Sequence, residues 1–363
     1  MNTMGQTRTW IAVAVLTFSG AVGADAQKIE VVDKAGYAVP FASVMTTDAT
    51  VIGVTGPDGV LADVKGAKTV VVSHVAYQPK TVSVEADGQQ VTLDDADFSL
   101  PEITVTKKDY TYLQVYYRMV CMSDKDGVVY YRAGIVNNFL NEASGKQESA
   151  KQHIAMAKSG ILKMLLNLLV GKVIESGAQI KVKPFEEKIQ ELFPSQGLKI
   201  VDKGNGQKDI VDNYGTLGSI TDADGRRKIA MDMQQATYHE LEAKGNTKEL
   251  ERRKKADSKR ENEVNSSYRA YSIDESGHYR PEDFLMEQHL MSFDYESEGH
   301  CLIAIDFFAT DRGYLSKEGV KQAKKESKVK MTYDYLQQFE RQHDIPALAP
   351  EVLARMKDLT EKD

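Results

Sequence analysis

The sequence is poor in the residues that staple small folds. It has two cysteines, nine prolines and one tryptophan in 363 residues. Two thiols cannot build a disulfide framework or a four-thiolate zinc site. Positive charge is not in excess either, with 46 Lys and Arg against 53 Asp and Glu and a net charge of −7. That balance excludes a strongly basic nucleic-acid-binding protein. No P-loop, dinucleotide fingerprint or G-x-S-x-G elbow occurs. What is there is ordinary globular composition, 42% apolar and 27% charged, in a chain long enough for about two domains.

The first 26 residues predict a secretory signal peptide. Arg8 precedes an apolar run of 13 residues, 10–22, and Ala24-Asp25-Ala26 is a small-x-small cleavage pattern that leaves Gln27 as the new N-terminus. The run is shorter than the ~20 residues a span needs, so cleavage is expected rather than anchoring. No cysteine stands near the cleavage point, which argues against N-terminal lipidation; the first is Cys121. Export would permit a Cys121–Cys301 bridge. Both lie in apolar, strand-like contexts, and two separate buried thiols are the preferred reading.

Residues 27–105 read as a β-sandwich. Short runs at 28–33, 41–46, 51–55, 60–64, 69–75, 80–85 and 90–93 are broken by turn residues, with 103–105 as an exit strand. The motifs Val32-Asp-Lys-Ala-Gly36, Val39-Pro-Phe-Ala-Ser-Val44, Gly53-Val-Thr-Gly-Pro-Asp-Gly59 and Val72-Ser-His-Val-Ala-Tyr77 occur in order. Together they resemble the carboxypeptidase-regulatory-like domain. Gly56 departs from the usual turn aspartate, and Ala76 from the usual glycine before the tyrosine. The resemblance implies a seven-stranded, transthyretin-like Greek-key fold with no active site of its own. The run Phe98-Ser-Leu-Pro-Glu-Ile-Thr-Val105 is similar to an exit common in secreted proteins of the Bacteroidota, where such a module often precedes an outer-membrane barrel. Only 258 residues follow Val105 here, much of that stretch helical and charged in pattern, so a barrel receptor is not expected. Residues 101–108 should form a short extended connector, with Ile103 and Val105 buried on one face.

Residues 106–363 predict an α+β domain with a curved antiparallel sheet and helices. Strands are expected at 110–122, 128–132 and 134–140, with a hairpin turn at Ser123-Asp-Lys-Asp-Gly127. A helix is expected over 149–174, where Ile154, Ala157, Ile161, Leu165, Leu168, Leu169 and Val173 recur at steps of three and four. Its apolar part, 160–173, reads first as a core helix. The alternative is a membrane-surface or ligand-lining helix, with Ile161, Leu165, Leu168 and Leu169 as the lining set. Residues 184–225 are mixed and turn-rich, and Asp222-Ala-Asp-Gly225 reads as a plain turn rather than a calcium loop. Residues 229–264 read as a charged helix, or two hinged at Gly245-Asn246, with a basic segment at 244–260. Strands at 267–273, 284–295 and 300–309, a turn at 310–313, a helix at 328–342 and a short last helix complete the chain. The element order is similar to that of a lipoprotein-carrier type of open half-barrel.

The chemistry-bearing residues make no compelling constellation. His239-Glu-Leu-Glu242 has a zinc-ligand spacing, and His343 follows at a plausible distance for a third ligand. The regulatory module leads here, whereas in the metallocarboxypeptidases it follows the catalytic domain, and His239 lies in a charged segment. His278, His289 and His300, with Asp283 and Asp306 nearby, read as structural or surface histidines rather than metal ligands. The expectation is an exported, non-catalytic cell-envelope protein without a cofactor, acting as a binding module toward an envelope protein, glycan or lipid, with no nucleic acid and no span in the processed chain. The alternatives are a zinc-peptidase-like envelope hydrolase using His239, Glu242 and His343, and a carrier of an apolar ligand.

Overall fold

The computed structural model describes residues 27–85, 87–98, 109–257 and 264–361. The signal segment 1–26, the connector 101–108 with its exit strand, and the end of the basic segment lie outside the described residues.

Seven short strands form the N-terminal unit: β1 (Ile29–Val32), β2 (Ser43–Met45), β3 (Val51–Val54), β4 (Val60–Leu61), β5 (Thr69–His74), β6 (Tyr77–Ser83) and β7 (Gln89–Thr92). They make a three-stranded sheet in the order β4-β1-β7 and a four-stranded sheet in the order β3-β2-β5-β6. Ile29, Val31 and Val91 of the first and Val44, Ile52, Val70 and Val72 of the second share one core. The turn before β4 needs its glycine: Gly59 has φ +76°, and a Cβ there would stand 2.7 Å from the Val31 carbonyl oxygen.

The rest of the chain builds a single antiparallel sheet. Its elements are β8 (Tyr110–Ser123), β9 (Gly127–Asn141), β10 (Gln147–Ala157), α1 (Gly160–Gly177), α2 (Phe185–Leu192), β11 (Lys199–Gly204), β12 (Gln207–Val211), β13 (Thr216–Ala223), β14 (Arg226–Asp232), α3 (Met233–Ala243), α4 (Thr247–Asp257), β15 (Asn265–Ser272), β16 (Phe284–Tyr295), β17 (Gly299–Leu315), α5 (Lys317–Glu326), α6 (Tyr333–Gln342), α7 (Pro350–Met356) and β18 (Thr360–Glu361). Eleven strands run in the order β11-β12-β13-β14-β15-β16-β17-β8-β9-β10-β18.

Period-two alternation assigns each side chain to a face. On β8, Tyr116, Val120 and Met122 point to a first face, and Val115, Tyr117, Met119 and Cys121 to a second. On β17, Leu302 and Phe308 belong to the first, and Cys301, Ile303, Ile305 and Phe307 to the second. The first face is covered by the N-terminal unit and by Leu336, Phe339, Val352 and Met356 of α6 and α7. The second is covered by α1, α2 and α3. Strands covered on both faces carry continuous apolar runs, which is why β8 reads as unbroken rather than alternating.

One ion pair is buried under the first face's cover. Arg118 Nε donates to Asp306 Oδ2 at 3.0 Å, and its Nη1 to the Pro346 carbonyl at 2.7 Å. Asp306 also accepts from Gln288 Nε2 at 2.8 Å, and Glu340 accepts from Tyr116 Oη at 2.6 Å. These bonds fasten the segment between α6 and α7 to the sheet. At the edge of the N-terminal unit, Lys228 Nζ donates to Tyr77 Oη at 3.0 Å and Arg226 Nη2 to the Phe98 carbonyl at 2.9 Å.

Several expectations are corrected. The helix predicted over 149–174 is two elements, strand β10 and helix α1. β10 pairs with β9 along its whole length, and pairing outweighs the helical spacing of Ile154, Ala157 and Ile161. The segment predicted as charged helix from 229 begins as β14, whose Ile229 and Ala230 fall in different cores. The break before Asn246 is present, between α3 and α4. The predicted turn at 310–313 is part of β17, passing through a register shift between Ala309 and Asp311. The turn-rich stretch holds α2 and β11 to β13, and α5 precedes the expected late helix.

Candidate functional site

Helix α1 starts where its cap residue dictates. The Ser159 hydroxyl accepts from the Leu162 amide at 3.2 Å, satisfying one of the free N–H groups of the first turn. Leu162, Leu166, Val170 and Ile174 recur every four residues and are buried on the second face. At the C-terminal end Gly177 allows close approach to the sheet, since a Cβ there would lie 2.2 Å from Phe307 Cζ. Asn138 Nδ2 donates to the Ala178 carbonyl at 2.6 Å, and Lys181 Nζ to the Gly177 carbonyl at 3.0 Å.

Lys181 belongs to a buried charge cluster that anchors this end. Its ammonium lies 3.3 Å from Glu287 Oε2. Arg269 Nη2 donates to Glu287 Oε1 at 2.7 Å, and His289 Nε2 lies 2.6 Å from the same oxygen. Burial pushes Lys181 down to about 8 despite Glu287. Burial also disfavours the Glu287 carboxylate, but Arg269, Lys181 and His289 outweigh it and hold Glu287 well below the usual carboxylate range.

Leu162, Leu166, Val170 and Ile174 hold α1 on the sheet along its length, and one flank of the helix is left open. A cavity of about 370 Å³ opens between the helix and β8, β9 and β10, within the size range of small-molecule sites. Its charged lining is Arg132, Lys151, Lys172 and Glu175; Tyr117, Asn138, Ser149, Asn167 and Gln179 add polar groups, with Leu168 and Gly171 from α1. Asn167 spans the gap: its Oδ1 accepts from Tyr130 Oη and from Arg132 Nη1, both at 2.8 Å. Arg132 Nε also donates to Tyr117 Oη at 3.2 Å. Lys151 pairs with Glu175 at 2.7 Å across the mouth. The cleft is therefore preformed, mixed in polarity and net cationic.

The lining set expected from sequence is displaced. Of Ile161, Leu165, Leu168 and Leu169, only Leu168 lines the cleft. Ile161, Leu168 and Leu169 are exposed and Leu165 is half-buried; the buried stripe falls one residue away. Arg132, Asn138, Lys151 and Asn167 were missed. The signal for two of them lay in β9, where Arg132 and Asn138 share a face with Tyr130 and Val136 in an otherwise apolar strand.

The zinc-peptidase set does not assemble. His239 on α3 lies 2.7 Å from Asp212 Oδ2 and packs on Tyr214, and Glu242 is exposed. His343 packs on Phe339 of α6, with ring centroids 4.1 Å apart. α3 covers the second face and α6 the first, so the sheet separates the two histidines. His278 is exposed, His289 faces Glu287, His300 faces Asp294, and Asp306 belongs to the Arg118 pair. Among the described residues no group of three His, Cys, Asp or Glu side chains is arranged to hold a metal. Asp222 of the Asp222-Ala-Asp-Gly225 turn receives Arg227 through two bonds of 2.7 Å. Cys121 and Cys301 are buried free thiols, and burial followed by the neighbouring Cys301 pushes Cys121 well above the usual thiol range.

A scan against protein-family models and a search of curated proteins both return no match to this chain.

Proposed function

We propose that the protein is an exported, non-catalytic binding protein of the cell envelope, in which a carboxypeptidase-regulatory-like sandwich braces one face of a large sheet and the other face presents the binding site. The observation that carries this reading is the preformed cleft beside α1, about 370 Å³ with three cationic side chains against one carboxylate. Asn167, Arg132 and Tyr117 are bonded to one another in it, and it has the form of a recognition site rather than a reactive one. The sandwich reading is supported by seven strands in sheets of three and four. Export is supported by the pattern of residues 8–26.

The carrier reading is altered rather than dropped. A lining of Arg132, Asn138, Ser149, Lys151, Asn167 and Lys172 suits a ligand with an anionic head, not a wholly apolar one. Fractionation of the producing cell with N-terminal sequencing tests the proposal. A processed chain starting at Gln27 in the envelope fraction is expected. An unprocessed, cytosolic chain would overturn it.

A further inference from the structure

Ten large apolar side chains are exposed among the described residues, and four of them, Ile161, Met164, Leu168 and Leu169, stand on α1. Their spacing sets them along the side of the helix turned away from the sheet, because Leu162, Leu166, Val170 and Ile174 take the inner side. Leu168 is 81% exposed and also lines the cleft, so the apolar stripe and the cationic cleft share an edge. Val182 and Leu192, exposed as well, follow beyond α1 and on α2, over the same face of the sheet. The inner side is packed on the sheet along the whole helix, so the stripe cannot turn inward. No helix among the described residues is long and apolar enough to cross a membrane.

The charge beside the stripe is predominantly positive. The chain as a whole carries −7, yet Arg132, Lys151 and Lys172 meet only Glu175 in the cleft. His153, on the same face of β10, has Arg132, Lys151 and Lys163 as its neighbouring charges. An apolar helix face bordered by lysine and arginine is the pattern of a helix that lies in a membrane interface. A second copy packed on a two-fold axis would instead set two cationic rims against each other.

We propose that α1 docks the protein onto a membrane surface carrying anionic lipid. The stripe Ile161, Met164, Leu168 and Leu169 enters the boundary between headgroups and acyl chains, and the phosphate oxygens of a headgroup occupy the cleft beside Arg132, Lys151 and Lys172. The proposal rests on the binding-protein reading above and names its partner class.

The test is sedimentation of the chain from Gln27 onward with vesicles of phosphatidylcholine, with or without phosphatidylglycerol. The expected result is binding about tenfold tighter to the anionic vesicles, weakened by salt. Met164→Ser with Leu168→Ser should lower binding to anionic vesicles by about tenfold. Both side chains are exposed, so the fold should be unaffected. Lys172→Glu should remove most of the anionic preference. Gly171→Leu should do the same by filling the cleft, since nothing lies within 4 Å of a Cβ built at Gly171. No vesicle binding, binding that these changes leave unmoved, or a dimer abolished by the serine pair in place of vesicle binding would each overturn the proposal. Failure here with a processed envelope protein would sink only the lipid partner; a cytosolic chain would sink the binding-protein reading itself.

Discussion

The two faces of the large sheet are built to different ends. Where the N-terminal unit and the segment after α6 meet the middle of the first face, the space left is about 30 Å³, roughly one water, and Arg118 is sealed with Asp306 beneath them. On the second face α1 packs on the sheet through Leu162, Leu166, Val170 and Ile174 and leaves about 370 Å³ along one flank. Both faces hold buried charge. On the first face it fixes the cover; on the second, Lys181 and Glu287 fix the C-terminal end of a helix whose inner side packs on the sheet along its length. Clefts of about 220 and 160 Å³ remain at the margins of the first face, beside the N-terminal unit and beneath α5 and α6, so the contrast lies between a sealed centre on one face and a cationic cleft on the other.

The largest effect should come from breaking the sealed pair. Arg118→Ala leaves Asp306 buried with one neutral donor, Gln288, and should cost about 3–5 kcal/mol in chemical denaturation. A loss under about 1 kcal/mol would mean that water reaches the pair and the first face is not closed. Next, α1 itself should be two-sided. Leu166→Ala removes a side chain that is 0% exposed and should cost about 2–5 kcal/mol. Leu168→Ser, one turn face away, should stay within about 0.5 kcal/mol. Equal losses would show that the helix's outer side is also packed.

Acid should act through the first face. His74 is buried against Tyr268, and its Nδ1 accepts from the Ala76 amide at 3.2 Å. Burial, then Lys228, pushes it down to about 3. The unfolded chain takes up that proton near pH 6.5, so the contribution is complete above 6.5 and is lost as pH falls toward 3. By pH 4.5 the loss should be roughly 2–3 kcal/mol, and His74→Asn should flatten the slope. A stability curve flat from 7 to 5 would contradict a sealed neutral His74. The smallest effect is chemical: Cys121 and Cys301 should react with a thiol reagent only after unfolding, and no reaction even then would reveal a disulfide.

Much of this architecture was legible where local signals agree with tertiary pairing. Strand β16 falls on the expected residues 284–295, and the seven short strands of the N-terminal unit lie within a few residues of their expected places. Turn glycines such as Gly59 and alternating valines dictate those elements locally. The sequence misleads where one segment carries two periodicities. Residues 149–157 have apolar steps that suit a helix, yet β9 offers eleven paired positions and the segment becomes β10. The site was half legible. The apolarity of α1 is plain in the sequence, but which side it buries depends on how the sheet contacts at Asn138 and Lys181 lay the helix down. Arg132, Lys151 and Lys172 come together only because β9, β10 and α1 fold back on one another.

Hydrogen exchange of the chain from Gln27 onward, with and without anionic vesicles, tests the central claim most directly. Protection should rise in α1, residues 160–177, and in the cleft-lining parts of β9 and β10, and should not change in the N-terminal unit, α6 or α7. Protection gained on the first face, or no change in α1 under conditions where the protein sediments with the vesicles, would contradict the assignment of the second face as the binding surface.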